Sequence, residues 1–78
     1  MNKRIGFNPT SHPDLDWSVA RDSHLDDKVE CAALAAMPNG LVALANINNA
    51  NAVVELTPGE LRKLKGALVA GQYDHLLG

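Results

Sequence analysis

The fold is decided by the stretch KVECAALAAMPNGLVALANI, residues 28–47. Its two apolar halves are separated by Pro-Asn-Gly, residues 38–40. Asn-Gly between two apolar runs is a strong hairpin signal, because both residues tolerate the positive φ of a tight turn. An alanine-rich helix is the alternative, but the proline and the glycine would cut it into pieces near the minimum helix length. The stretch therefore predicts a β-hairpin with strands over 28–37 and 41–47.

Further strands are expected on either side of this hairpin. Asparagines crowd residues 48–51, and Asn favours turns because it accepts left-handed backbone and bonds to its own backbone neighbours. Together with Asn46, these amides could instead bind a ligand or a partner backbone, although turn chemistry explains them more simply. Residues 52–56 then supply a third strand. Upstream, Leu15, Trp17 and Val19 alternate with polar residues, which is the spacing of a short strand.

A helix is predicted to follow the sheet. Thr57 fits its N-cap, Pro58 its first turn and Glu60 the second member of a capping box. Gly71 is placed to end the helix in a left-handed cap. One face of the helix is apolar, because leucines recur three and four residues apart at Leu61, Leu64 and Leu68.

These elements predict a single small domain. Residues 1–14 mix Gly and Pro with polar residues and follow neither period, which indicates a flexible or loosely docked N-terminal arm. Residues 15–78 form the expected β-β-β-α domain. Its class is α+β, an antiparallel three- to four-stranded meander sheet followed by one C-terminal helix. The tail, residues 73–77, is expected to fold back over the core.

The core of this domain is thin for its size. The chain has 78 residues, and 11 of its apolar residues are alanine. Only Phe7, Trp17 and Tyr73 are aromatic. Small domains with thin cores usually recruit disulfides, a metal or a second subunit. Cys31 is the only cysteine and excludes an internal disulfide, which leaves a metal or a partner chain.

The predicted sheet has more apolar surface than its helix can cover. A helix is about 10 Å wide and strands lie about 4.8 Å apart, so one helix closes only one face. Apolar side chains also occupy the other face, which predicts a subunit or protein interface there. The interface candidates are Trp17, Val29, Leu34, Val42, Leu44 and Val53. Trp17 could instead be a core residue, because it is the only Trp in a chain with a thin core.

Chemistry-bearing constellations are sparse. His24 lies among acidic residues in the loop 22–27, so metal or small-ligand binding at this loop is the alternative function. Its spacing matches neither a calcium loop nor a zinc set. Cys31 has no cation nearby in the sequence except Lys28, and a small buried thiol explains it better than a nucleophile. We therefore expect no enzyme activity, no cofactor and no metal.

Charge and hydropathy restrict the partners. The formal net charge is −2, and the only basic cluster lies at Arg62, Lys63 and Lys65. That is too little to neutralise a run of phosphates, so direct nucleic-acid binding is not expected. Polar residues and prolines at 8–13 interrupt any secretory signal, and no apolar run approaches a membrane span. A single free thiol is typical of a reducing cytoplasm.

Several short motifs together resemble a known family. They are Trp17, Val29-Glu30 with Ala32, Gly40-Leu41-Val42-Ala43, Leu56-Thr57-Pro58-Gly59-Glu60 and Gly71-Gln72-Tyr73-Asp74. In this order they resemble the small actinobacterial family called domain of unknown function 397, which includes BldB-like developmental regulators. The resemblance covers about residues 17–74.

This resemblance implies a non-enzymatic regulator. Members of the family look like partners of helix-turn-helix transcription factors, in an arrangement similar to a toxin and antitoxin pair. The implied partners are a second copy of the chain, giving a homodimer, and a helix-turn-helix regulator. The expected function is therefore a small protein-protein interaction module in transcription regulation.

Overall fold

The structure, a computed structural model, describes residues 7–19 and 31–78. Its strands form one antiparallel sheet in the order β1-β2-β3-β4. The strands are β1 (Ser18–Val19), β2 (Ala32–Ala36), β3 (Val42–Asn46) and β4 (Asn49–Leu56), and they are followed by α1 (Pro58–Val69) and a short 3-10 helix (Asp74–Leu76). The predicted α+β meander with one long C-terminal helix is confirmed.

The hairpin of β2 and β3 forms with a turn that differs from the expected one. Gly40 N donates to Met37 O at 3.1 Å, and Met37 N donates to Leu41 O at 2.9 Å. Gly40 has φ +90°, whereas Asn39 is not among the positive-φ residues. The Asn39 Oδ1 atom instead accepts from Leu41 N at 3.0 Å. Only the glycine therefore needs left-handed backbone, as in a three-residue loop whose last residue is αL.

The turn between β3 and β4 lies earlier than predicted. It occupies residues 47–48, and β4 already begins at Asn49. The register is irregular between Ala45 and Asn46, and such an irregularity shifts which residues face each other across the ladder. Asn46 and Asn49 each accept a bond through Oδ1 from the backbone N–H two residues on, at 2.9 and 3.2 Å. Asn46 and Asn49 therefore stabilise the turn, which is the role that the sequence favours over ligand binding.

The helix ends are built as the sequence predicts. Thr57 Oγ1 accepts from Glu60 N at 3.0 Å, and Glu60 Oε1 accepts from Thr57 N at 2.8 Å, which completes the capping box. At the other end Gly71 has φ +84°. Gln72 N donates to Ala67 O, and Gly71 N donates to Leu68 O. This pair of bonds is a Schellman motif, which satisfies the last carbonyls of the helix.

One face of the sheet, here called the closed face, carries the core. Its strand residues are Val19, Ala33, Ala35, Ala43, Ala45, Val53 and Glu55, which face one another in the register. Trp17 lies against the buried alanines and is 1 % exposed. The Phe7 ring meets the Trp17 ring edge-on, with centroids 5.1 Å apart. Small alanine side chains leave room for the indole to lie close to the sheet.

The N-terminal segment, not the helix, covers this face. Phe7 and Leu15 pack against the core, and Pro9 is fully buried. Over residues 7–14 the expected arm is therefore docked on the sheet, while residues 1–6 lie outside the described part. We name residues 8–14 the cap loop. The aromatic and proline side chains dock it because they fill the space above the alanines.

The expectation that α1 closes one sheet face is wrong. No residue of α1 is buried, and the helix approaches the sheet along β4. Its leucines are only partly covered, and Leu68 is 44 % exposed. The tail does not fold over the core either, since Leu76 and Leu77 are about 70 % exposed. The physical reason is that the N-terminal segment already occupies the space above the alanines.

Substitutions at two adjacent alanines of β2 test the assignment of the closed face and the opposite face. Ala33 is fully buried on the closed face, while Ala32 is exposed on the opposite face. We expect Ala33→Leu to lower the free energy of unfolding by about 1–3 kcal/mol, because overpacking displaces the segment above it. Ala32→Leu is the matched control and should change it by less than about 0.5 kcal/mol. Urea denaturation measures both, and equal losses would contradict the assignment of the two faces.

Candidate interaction surface

The opposite side of the sheet, here called the open face, presents a row of large apolar side chains. Leu34 pairs with Leu44, and Leu44 pairs with Val54, so the three side chains form one line across β2, β3 and β4. Leu34 is 36 % exposed and Val54 is 52 % exposed, while Leu44 is half-buried. Directly opposed side chains in antiparallel strands lie about 4.5–5.5 Å apart. The row is therefore a continuous apolar ridge.

A second row lies beside the first. Ala36 pairs with Val42, and Val42 pairs with Leu56. Ala36 is exposed, and the other two are half-buried. Glu55 is the only charged residue in the four described strands, and its pairing with Ala43 places it on the closed face. The strands thus contribute no charge to the open face.

The structure sorts the predicted interface residues into two groups. Leu34, Val42 and Leu44 lie together on the open face, as expected. Trp17 is a buried core residue, the alternative role considered for it, and cannot offer its side chain to a partner. Val53 pairs with Ala45 and packs against the core, so it belongs to the closed face. Val29 lies outside the described residues.

Val54 is the surface residue that the sequence did not single out. Two adjacent valines give no signal for which of them faces outward. The register decides it, and the irregularity between Ala45 and Asn46 sets that register. A shift of one residue exchanges the two faces of a strand. Counting alternation from the turn therefore could not identify Val54.

A polar cluster joins the cap loop to β4. Ser11 Oγ lies 2.7 Å from His12 Nδ1, and His12 Nε2 lies 2.7 Å from Glu55 Oε2. The His12 side chain is 13 % exposed and the Glu55 side chain 41 % exposed. A hydroxyl can donate to or accept from a ring nitrogen, so Ser11 satisfies Nδ1 in either protonation state of the imidazole. No local sequence pattern indicates this bond, because its two residues are 43 positions apart.

The other residues with possible chemical roles are Cys31 and those of the acidic loop 22–27. Cys31 is free and buried, as expected for a small core thiol. The loop 22–27 with its acidic residues and His24 lies outside the described residues, so the ligand-binding alternative stays a prediction. Elsewhere, over 7–19 and 31–78, no group of three or more His, Cys, Asp or Glu is arranged to hold a metal ion.

The basic residues of α1 lie on the surface of the protein. Arg62, Lys63 and Lys65 are exposed along α1. No helix within the described ranges is both long and apolar enough to cross a membrane.

Comparison with family models, with curated proteins and with solved structures gives no match to this chain. The resemblance to the domain of unknown function 397 therefore stays a prediction that depends on the motifs alone. Inferences about function depend on the geometry of the open face and on those motifs.

The accessibility of the Cys31 thiol tests the closed side of the sheet. Because the side chain is buried, we expect its reaction with a disulfide reagent to be slow in the folded protein and fast in denaturant. Spectrophotometric thiol titration measures both rates. Equal rates with and without denaturant would show that Cys31 is accessible and available for chemistry.

Proposed function

We propose that the protein is a non-enzymatic protein-protein interaction module, and that the open face is its contact surface. The observation that carries the proposal is the uncharged apolar ridge of Leu34, Leu44 and Val54, of which Leu34 and Val54 are exposed. Ridges of this kind on small proteins mark sites of association.

The first proposed occupant is a second copy of the chain. Juxtaposed like charges at an interface cost several kcal/mol. The strands bring no charge to the open face, so two copies can meet there without that cost. Leu44 is the middle residue of the ridge. A two-fold axis beside it would place Leu34 of one copy opposite Val54 of the other, as an isologous interface requires.

The size of the sheet limits how this dimer is built. Over the five-residue length of β2 and β3, three adjacent strands give a footprint of roughly 14 by 17 Å. A stable interface buries about 800 Å² on each partner. The ridge is therefore the centre of the proposed interface, and neighbouring exposed apolar residues must supply its rim. Ala36, Val42 and Leu56, the second row of the open face, are apolar residues next to the ridge.

The second proposed occupant is a helix-turn-helix regulator, as the family resemblance implies. The charge pattern supports separate roles for the two proteins. The chain has 7 Lys and Arg residues against 9 Asp and Glu, and its formal net charge is −2, so the regulator would bind the DNA while this protein modulates the regulator. We place the pair in the cytoplasm, where a free thiol such as Cys31 is stable.

Substitution at the most exposed position of the ridge tests the contact surface. We expect Val54→Asp to weaken self-association about tenfold or more, because an interface would bury an unpaired carboxylate. Stability of the monomer should change by no more than about 1 kcal/mol, since Val54 is half exposed. Sedimentation equilibrium and urea denaturation measure the two quantities.

Val69→Asp is the matched control for this experiment. Val69 is 79 % exposed but lies on α1, outside the strands that form the ridge. Its substitution should weaken self-association less than Val54→Asp does. A wild-type chain that stays monomeric at its highest soluble concentration would overturn the homodimer. Equal weakening by both variants would show that the ridge is not the centre of the interface.

The polar cluster gives a test of the non-enzymatic part of the proposal. Hydroxyl, imidazole and carboxylate follow one another in the order of a nucleophilic triad at Ser11, His12 and Glu55. Such a triad accelerates a reaction only where aligned donors stabilise the oxyanion, and Ser11 lies on an exposed turn. We expect a fluorophosphonate probe to label Ser11 no faster than the exposed Ser18, by mass spectrometry. Selective labelling of Ser11 would indicate an esterase-like activity.

A further inference from the structure

The cap loop is a compact unit. Asn8 Oδ1 accepts from Asp14 N at 2.9 Å, and His12 N donates to Pro9 O at 3.1 Å. Asp14 has φ +64°, a conformation that Asp tolerates better than most residues. These bonds hold the two ends of the loop together. Hydrogen bonds of this kind contribute little net stability, so the loop keeps this conformation only while it is docked on the sheet.

This loop is attached to the sheet on two sides. On one side Pro9 is buried, and Phe7 contacts Trp17 next to β1. On the other side the attachment is polar and runs from His12 to Glu55 on β4, the last strand of the sheet. The segment is thus attached to the core around Trp17 at one point and to β4 at another.

We propose that Ser11, His12 and Glu55 form a latch for the cap loop. When the latch is closed, the loop lies across the alanines of the closed face. When it opens, the loop lifts and exposes a second apolar surface, while the hairpin of β2 and β3 stays folded. This device concerns the closed face and does not depend on the interface proposed for the open face.

The latch is the weaker of the two attachments. Its carboxylate is 41 % exposed, so water competes for the hydrogen bond, whereas the other side is held by burial of aromatic and proline side chains. Segments held in this way open locally at a lower free energy than the whole domain. Loss of one such bond is expected to shift the opening equilibrium about fivefold.

Two reporters distinguish local opening from global unfolding. The amide protons of His12 and Asp14 are bonded inside the cap loop. Those of Met37 and Ile47 are bonded in the β2-β3 hairpin. Native-state hydrogen exchange reads all four amides in one experiment. Quenching of Trp17 fluorescence by acrylamide adds a second measure, because Trp17 is the only Trp and is buried.

We expect His12→Ala and Glu55→Ala each to accelerate exchange of the two loop amides about fivefold and to increase quenching of Trp17. Exchange at Met37 and Ile47 should not change. Glu55→Gln keeps an acceptor and should have an intermediate effect. His75→Ala is the matched control, because it removes an exposed histidine of the 3-10 helix, and it should behave as the wild type.

The double variant decides whether the two residues act together. If both substitutions remove the same bond, the double variant should show the same shift of about fivefold as either single variant. Independent effects that multiply to about 25-fold would overturn the latch. Equal acceleration of the hairpin amides would also overturn it, because the opening would then be global. Unchanged loop amides in both single variants would show that the loop needs no latch.

Discussion

The packing of Trp17 on a floor of alanines is the constraint on which the rest of the structure depends. Four alanines on β2 and β3 face one another, and the indole lies directly above them. A larger side chain at any of these positions would lift the N-terminal segment from the sheet. The high alanine content, which at first indicates a thin core, therefore allows a distant segment to complete that core.

The N-terminal segment covers the closed face, and this determines where α1 can pack. Because that face is occupied, α1 does not pack over the alanines; it contacts β4 and has no buried residue. The opposite side of the sheet is then left with its apolar ridge uncovered. In the function proposed above, folding uses the closed face and association the open face, so alternate positions of each strand have different roles.

Local signals predicted most of the fold. The capping box at Thr57 and the glycine at Gly71 depend on residues within one helical turn, so the sequence shows both ends of α1. The hairpin followed in the same way from the turn at residues 38–40, although its backbone conformation differs from the expected one. Three of the predicted interface residues, Leu34, Val42 and Leu44, share one face because simple alternation holds through β2 and β3.

Features that depend on distant contacts could not be predicted in this way. Docking of residues 7–14 needs the shape of a surface formed by strands more than 15 residues away, and no period in the segment indicates it. The outward position of Val54 follows from an irregular register between β3 and β4. The bond between His12 and Glu55 joins two polar residues that look like ordinary solvent-exposed side chains until the sheet is assembled.

The place of Glu55 on β4 has a consequence for solubility. β4 is the last strand of the sheet, and edge strands are templates for uncontrolled pairing with other chains. An inward-facing carboxylate on such a strand makes extension of the sheet costly, because a further strand would bring its own side chains against that charge. The cap loop ends beside the same carboxylate and adds bulk at this edge. Glu55 is therefore a residue of the kind that opposes extension of the sheet at this edge.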